Sequence, residues 1–355
     1  MEAPLQAATE LSEAKRALLA RRLKGLSLKK EANAPVQPRP ANARVRISID
    51  QYRLWLHHSM HPGVPVYNEP VSIFHDGPLD RAMLARSLEL YANRHEAWRT
   101  GFVAEGEDVL QQIVPSVSVP VKLYDLSGFN DEKREAEDAR LARENALQPF
   151  DLTRPPLLRA VLTRMSPTED RLHLAIHHIV FDGTAIRDSF LPEIAAIYKA
   201  LAAGEEPALA PSQLQYPDFS LWREEQLNST SMERSRIFWK NQLQGEQTVL
   251  RLPADRPRPA VISQRGAMHR FALSPALTNA LRETSQQQGA TLYLTLLAAL
   301  QVLLFRYSGQ QDVIVGTGAN GRRLPELQGV MGYMLDTFPV RVKANAEKPF
   351  TKFLN

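Results

Sequence analysis

The chain has 355 residues, 44% hydrophobic and 23% charged, with no cysteine and a formal net charge of +4. That length exceeds a single hydrophobic core and predicts two lobes, the composition excludes a disordered or fibrous protein, and zero cysteines exclude disulfides, thiolate metal sites and a cysteine nucleophile. Residues 1–46 carry ten Lys/Arg against four Glu while the remainder carries 33 basic against 35 acidic residues, so the body lacks the basic footprint of a nucleic-acid binder.

At the N-terminus, Leu11–Leu26 predicts a short amphipathic helix with Leu11, Ala14, Leu18 and Leu19 on one stripe, Ser12 as cap and Gly25 as stop. Pro35, Pro38 and Pro40 then mark an extended linker, with the folded body expected from about Val45. Asp80–Trp98 predicts an amphipathic helix capped by Asp80, with Leu84, Leu88 and Tyr91 on one face. Strands are expected at 109–114, 159–165 and 171–177, followed by a helix over Thr184–Leu201 with Ile186, Phe190, Ile194, Ile197 and Leu201 facing inward.

Residues 251–266, rich in Pro and Arg, read as an extended crossing segment. Thr291–Tyr307 is apolar nearly all round and, as a helix, is expected to be buried on most sides. Asp312–Thr317 predicts a short β-branched strand interior to a sheet. The alternation makes the chain α/β. No apolar run of about 18 residues and no basic-then-apolar leader is present, which leads to an expectation of a cytoplasmic protein without membrane contact.

Within RLHLAIHH, strand alternation sends Leu172, Leu174 and Ile176 to one face and His173, Ala175 and His177 to the other. His178 falls at the strand end, and Asp182 and Gly183 precede the next helix, where free backbone N–H groups stabilise a carboxylate. Imidazole exchanges a proton near neutrality, so a positioned His178 suits activation of an amine or hydroxyl. Asp182 is placed either to hold that ring or to pair with an arginine and brace the turn. The plainer alternative, commoner for an arbitrary histidine pair, is two hydrogen-bonded strand-end residues.

A metal site from His173, His177 and Asp182 is set aside, because on a strand those histidines stand about 13 Å apart at roughly 3.3 Å per residue. Gly316–Gly321 satisfies G-x-G-x-x-G, with Asp336 further on, but Pro325 and Gly329 deny it the helix a dinucleotide site needs, so it reads as a turn. Neither a phosphate-binding loop nor a G-x-S-x-G elbow is present.

HHIVFDG at 177–183 resembles in full the HHxxxDG motif of the condensation domains of nonribosomal peptide synthetases. In the family's order, ISIDQYRLWLHH, RHEAWRTGF, YPDFSLW, FWKNQLQG, LPADRPRP and YSGQQDVIVGTGANGRRLPELQGVMGY resemble its other motifs, over about residues 45–355. The resemblance implies a chloramphenicol-acetyltransferase-like fold of two lobes meeting in a V around a tunnel, an N-terminal lobe at 45–225 and a C-terminal lobe at 226–355, the latter ending before the family's last motifs. It implies amide formation between a donor acyl thioester and an acceptor α-amine, both on phosphopantetheine arms of partner carrier proteins, with no cofactor or metal held by the domain itself. Adjacent synthetase domains such as adenylation are further implied partners.

By matching position His178 is the catalytic residue, His177 and Gly183 shape the turn, and Asp182 is structural, salt-bridged to Arg99 of RHEAWRTGF rather than to Arg94. Asp336 stands where the family usually has asparagine and is expected near the tunnel. An epimerisation domain typically carries tryptophan shortly after the motif, where this chain has Ile186, and a cyclisation domain replaces the histidines with aspartates. A non-catalytic docking module of the same fold is the remaining alternative.

Overall fold

The computed structural model describes residues 35–354 apart from 211, 246–248, 258 and 265. The expected helix over Leu11–Leu26 lies outside the described residues. Two compact units emerge from internal packing. One takes 35–232 and 318–338; the other takes, among the described residues, 233–317 and 339–354. The expected C-terminal lobe of 226–355 is therefore interrupted, because 318–338 folds back into the larger unit.

The larger unit begins earlier than Val45. Val36 is buried in its core, and the Arg39 guanidinium pairs with Glu96 at 2.7 Å and Asp218 at 2.9 Å, so the Pro-rich stretch is a packed strap rather than a free linker. Helix α1 (Ile49–Met60) starts at Ser48, whose hydroxyl accepts from the Gln51 N–H while the Gln51 side chain reaches back to the Ser48 N–H, a reciprocal cap. Strand β1 (Asn68–Asp76) leads to α2 (Arg81–Arg94), capped by Asp80 as expected but ending four residues early. His95 there is extended, and Glu96–Arg99 forms a separate 3-10 turn.

Strands β2 (Thr100–Glu105) and β3 (Asp108–Ile113) pair as a hairpin. Strand β4 (Val121–Asp125), helix α3 (Asp131–Leu147), and strands β5 (Leu158–Ser166) and β6 (Glu169–His177) follow. The main sheet has the order β1-β6-β5-β4, with β4 and β5 parallel and the other neighbours antiparallel. Helix α4 (Leu191–Ala202) runs on from a helical start at Gly183 through a π-type stretch at Ile186–Phe190. Its inward Ile186, Phe190, Ile194 and Ile197 are buried, with Phe190 stacked on Trp98 at 5.4 Å. Helices α5 (Tyr216–Leu227) and α6 (Thr230–Leu243) complete this part of the chain.

Helix α7 (Pro275–Gln287) is followed by α8 (Leu292–Ser308), capped by Thr291 and stopped at Gly309, whose φ of 69° is left-handed. Helix α8 forms where expected but is not buried on most sides. Thr295, Ala298 and Gln301 face inward, through the Ser285–Thr295 hydroxyl pair and the Gln301 bond to the Val340 carbonyl, while Tyr293, Leu294, Leu300 and Leu303 are about half exposed. Strand β7 (Asp312–Asn320) pairs with β8 (Leu335–Lys343), a two-stranded sheet among the described residues, and α9 (Phe350–Leu354) ends the described chain. Residues 251–266 hold no helix or strand where described. No single described helix is long and apolar enough to cross a membrane.

Candidate active site

Strand β6 stops at His177 because three bonds redirect the backbone. The His178 N–H donates to the Tyr67 carbonyl at 2.8 Å, the His177 ring accepts from the Ile179 N–H at 3.2 Å, and Gln51 donates to the Ile179 carbonyl at 2.9 Å. A 3-10 turn over His178–Val180 follows, then extended Phe181, then Asp182 as the cap of the helical start. The strand, turn and helix expected from the sequence are all present.

The two adjacent rings have opposite tautomers. His177 accepts the Ile179 N–H through Nδ1, so its proton is on Nε2 when neutral. It is buried among the rings of Tyr67, Phe150 and His58, and burial, with the nearby His58 and His178, pushes its pKa down to about 3. His177 is thus a neutral structural residue. His178 Nδ1 lies 2.8 Å from the Phe181 carbonyl, which can only accept, so Nδ1 carries the proton and in the neutral ring Nε2 keeps its lone pair. The His178 ring stacks on Phe181 and meets Tyr333 edge-on, both at 5.1 Å, and is half-buried. A held ring with an unprotonated outer nitrogen can accept a proton.

Asp182 does not pair with Arg99. One carboxylate oxygen accepts from the Ala185 N–H at 2.9 Å; the other accepts from the Met334 N–H at 3.0 Å and from the Arg322 guanidinium. Both side chains of that ion pair are buried, and Arg322 also donates to the Val330 and Gly332 carbonyls at 2.9 and 3.0 Å. Arg99 instead donates to the Val114 carbonyl at 2.7 Å and reaches Glu96, while Arg94 pairs with Glu193 at 3.0 Å. The arginines of RHEAWRTGF are committed where α2 ends, and the fold-back segment 318–338 brings Arg322 instead.

Gly183 does not shape the turn through its backbone: it sits in the first helical turn with no left-handed requirement, and a Cβ there would meet nothing within 4 Å. Gly332 is the glycine the site needs. A Cβ at Gly332 would fall 1.8 Å from the Tyr216 ring. The Tyr216 hydroxyl donates to the Tyr333 carbonyl at 2.5 Å and therefore accepts from Ser48 at 2.8 Å, tying α5, α1 and the fold-back segment together.

Asp336 is engaged by arginines, with Arg223 at 2.5 Å and Arg53 at 3.6 Å. Beside them, burial raises Asp50 to about 6, opposed by Arg223 and reinforced by Asp336. His173 lies away from this cluster and is bonded to Asp138 at 2.8 Å. Sequence reasoning missed Arg322, Tyr67, Tyr333 and Gly332; the paired arginines that follow Gly321 were the available signal for the first.

The Condensation domain family model matches residues 43–355. Over 324 residues the chain is 40% identical to chondramide synthase cmdD of Chondromyces crocatus, covering 91% of this chain and 8% of that protein. It is 35% identical over 351 residues to phosphinothricin tripeptide synthetase PhsC of Streptomyces viridochromogenes, covering 97% of this chain and 32% of that one. The chain thus spans a small part of these relatives. Among solved structures, the X-domain from teicoplanin biosynthesis superposes with a TM-score of 0.81 at 30% identity, covering 90% of this chain and 70% of that one. The first condensation domain of the calcium-dependent antibiotic synthetase, with substrate analogue 3a, gives 0.72 at 24% identity over 89% of this chain and 73% of that one, a likeness of fold.

Proposed function

The chain belongs to the condensation-domain family of nonribosomal peptide synthetases, with its chloramphenicol-acetyltransferase-like α/β fold, and from that premise we propose that it forms an amide between two carrier-bound thioesters. The donor is an acyl thioester and the acceptor an aminoacyl thioester, each on the phosphopantetheine arm of a carrier protein. The acceptor's neutral amine adds to the donor carbonyl as His178 Nε2 takes an N–H proton. Collapse of the tetrahedral adduct breaks the C–S bond, and the departing thiolate takes the proton, leaving an amide and a free donor thiol. The observation that carries this reading is the Phe181 carbonyl fixing the proton of His178 on Nδ1, which leaves Nε2 as the base.

Holding two reactants together supplies most of the acceleration, up to roughly 7 to 11 kcal/mol, and a positioned base adds about 10² to 10⁴-fold. In this reading Asp182, His177 and Arg322 hold the turn and touch no substrate. Asp336 is proposed to line the acceptor's path as a carboxylate matched by Arg223 and Arg53. Incubating the protein with loaded donor and acceptor carriers and following the amide by mass spectrometry tests the reading.

A second reading is recruitment without catalysis. It is favoured by the likeness to the teicoplanin X-domain, which has also been solved in complex with OxyB. Carrier binding without amide formation would select it.

A further inference from the structure

On the α3 side of the main sheet, away from His178, three side chains form a continuous proton path. Ser72 Oγ lies 2.8 Å from His173 Nδ1, and His173 Nε2 lies 2.8 Å from Asp138 Oδ1. Asp138 also accepts from the Thr163 hydroxyl at 2.5 Å and from Arg171 at 3.0 Å. Burial alone would raise the Asp138 pKa, but His173, Thr163 and Arg171 outweigh it and hold the group at about 2, so it is an ionised acceptor.

With Asp138 ionised and the imidazole neutral, His173 donates to Asp138 through Nε2–H, Nδ1 is left as a lone pair, and Ser72 donates its O–H to it. His173 and Asp138 are buried, whereas Ser72 is exposed. This is the arrangement of a nucleophilic serine, a base and an orienting carboxylate, recognised by geometry and role. The ring nitrogens are exchanged relative to the usual hydrolase order, which the relay tolerates because each nitrogen handles one proton.

Strand register supplies the remaining parts. Ser72 lies directly opposite His173 across β1 and β6. The bonds from His178 N–H to Tyr67 and from Gly77 N–H to Thr168 mark the hydrogen-bonded pairs, so stepping by two makes Ser72–His173 a non-hydrogen-bonded pair with close side chains. The Ser72 N–H consequently points away from β6, and β1 is the edge of the sheet. A backbone donor on the nucleophile itself is one of the two that an acyl-transfer site uses for the developing oxyanion. His173 is held from behind by the Asn145 bond to its carbonyl at 3.1 Å.

We propose that Ser72, His173 and Asp138 form a second acyl-transfer site, in which Ser72 is acylated by small, unhindered activated carboxylic esters and thioesters. Ser72 Oγ adds to the acyl carbonyl while its proton passes to His173 Nδ1. The C–O or C–S bond to the leaving group then breaks, and the alkoxide or thiolate takes that proton, giving acyl-Ser72 and a free alcohol or thiol. Water attacking the acyl-serine by the same base returns the hydroxyl and releases the acid. Asp138 is a positioning residue.

The test is to incubate the purified protein with 4-nitrophenyl acetate, follow nitrophenol release, and map acetylated peptides by mass spectrometry. The expected result is one acetyl group on Ser72, absent in Ser72→Ala and formed at the wild-type rate in His178→Ala. His173→Gln should slow labelling roughly a hundred-fold. Asp138→Asn, which permits the other tautomer, should slow it at neutral pH and recover part of the rate at alkaline pH, a profile that loss of packing alone does not give. No acetyl on Ser72 in the wild-type protein overturns the proposal whether or not the variants fold, as does wild-type labelling in a folded His173→Gln.

Discussion

Asp182 and Arg322, separated by 140 positions, meet as a buried ion pair that fastens the histidine turn to the segment after β7. Removing one member leaves the other charged and uncompensated in the interior, which costs about 3 to 5 kcal/mol. Arg322→Met should show that loss in urea unfolding. Asp182→Asn combined with Arg322→Met should recover part of it, because the stranded charge is gone. Arg99→Ala should lose about 1 to 3 kcal/mol through the Val114 carbonyl and add to Asp182→Asn within roughly 0.5 kcal/mol. Strong coupling between Arg99 and Asp182 would contradict the pairing.

This pair also shows where sequence reading stops. The strand-to-helix course of 171–190 was legible because local spacing encodes it: Leu172, Leu174 and Ile176 alternate, and Asp182 is a capping residue at a helix start. The partner of Asp182 was not, because arginine after Gly321 and arginine in RHEAWRTGF carry the same charge and only tertiary topology chooses between them. The Pro-rich strap failed for a related reason. Val36 and Arg39 lack periodicity, yet Glu96 and Asp218 give the arginine a reason to pack. In α8 the apolar circumference was visible, but the pairing of Thr295 with Ser285 and of Gln301 with the Val340 carbonyl was not, because those contacts are set by tertiary packing.

His177 makes stability depend on acid. Its folded pKa of about 3 lies below the ordinary histidine value of 6.5, so the unfolded state binds more protons between those values. The stability it protects is fully present above pH 6.5 and falls, by an amount on the order of several kcal/mol, as pH drops toward 3. His177→Asn keeps an acceptor for the Ile179 N–H without titrating and should flatten that part of the unfolding profile. An unchanged slope would contradict the burial argument.

Asp50 acts in the opposite direction. Its folded pKa of about 6 exceeds the ordinary aspartate value of 3.8, so the native state holds a proton that the unfolded state has released. That contribution is present below pH 3.8 and is lost as pH rises through about 6, on the order of 3 kcal/mol. Asp50→Asn should remove this decline, measured by urea unfolding at about pH 4 and pH 7, on either side of the folded pKa.

Two glycines should respond differently to alanine. Gly332→Ala drives a methyl into the Tyr216 ring and should cost several kcal/mol, about the upper range for overpacking. Gly183→Ala meets open space in a helical conformation and should be neutral or stabilise by about 0.4 to 1 kcal/mol. Thermal unfolding of the two variants checks both.

The role of His178 is tested most directly by amide formation in His178→Ala, with donor and acceptor carriers both loaded and the product followed by mass spectrometry. The expected result is a fall of about 10² to 10⁴-fold in a protein that still unfolds cooperatively, because the half-buried ring gives up one hydrogen bond, to the Phe181 carbonyl, and its contacts with Phe181 and Tyr333. Amide formation at the wild-type rate in a folded His178→Ala protein would contradict that role.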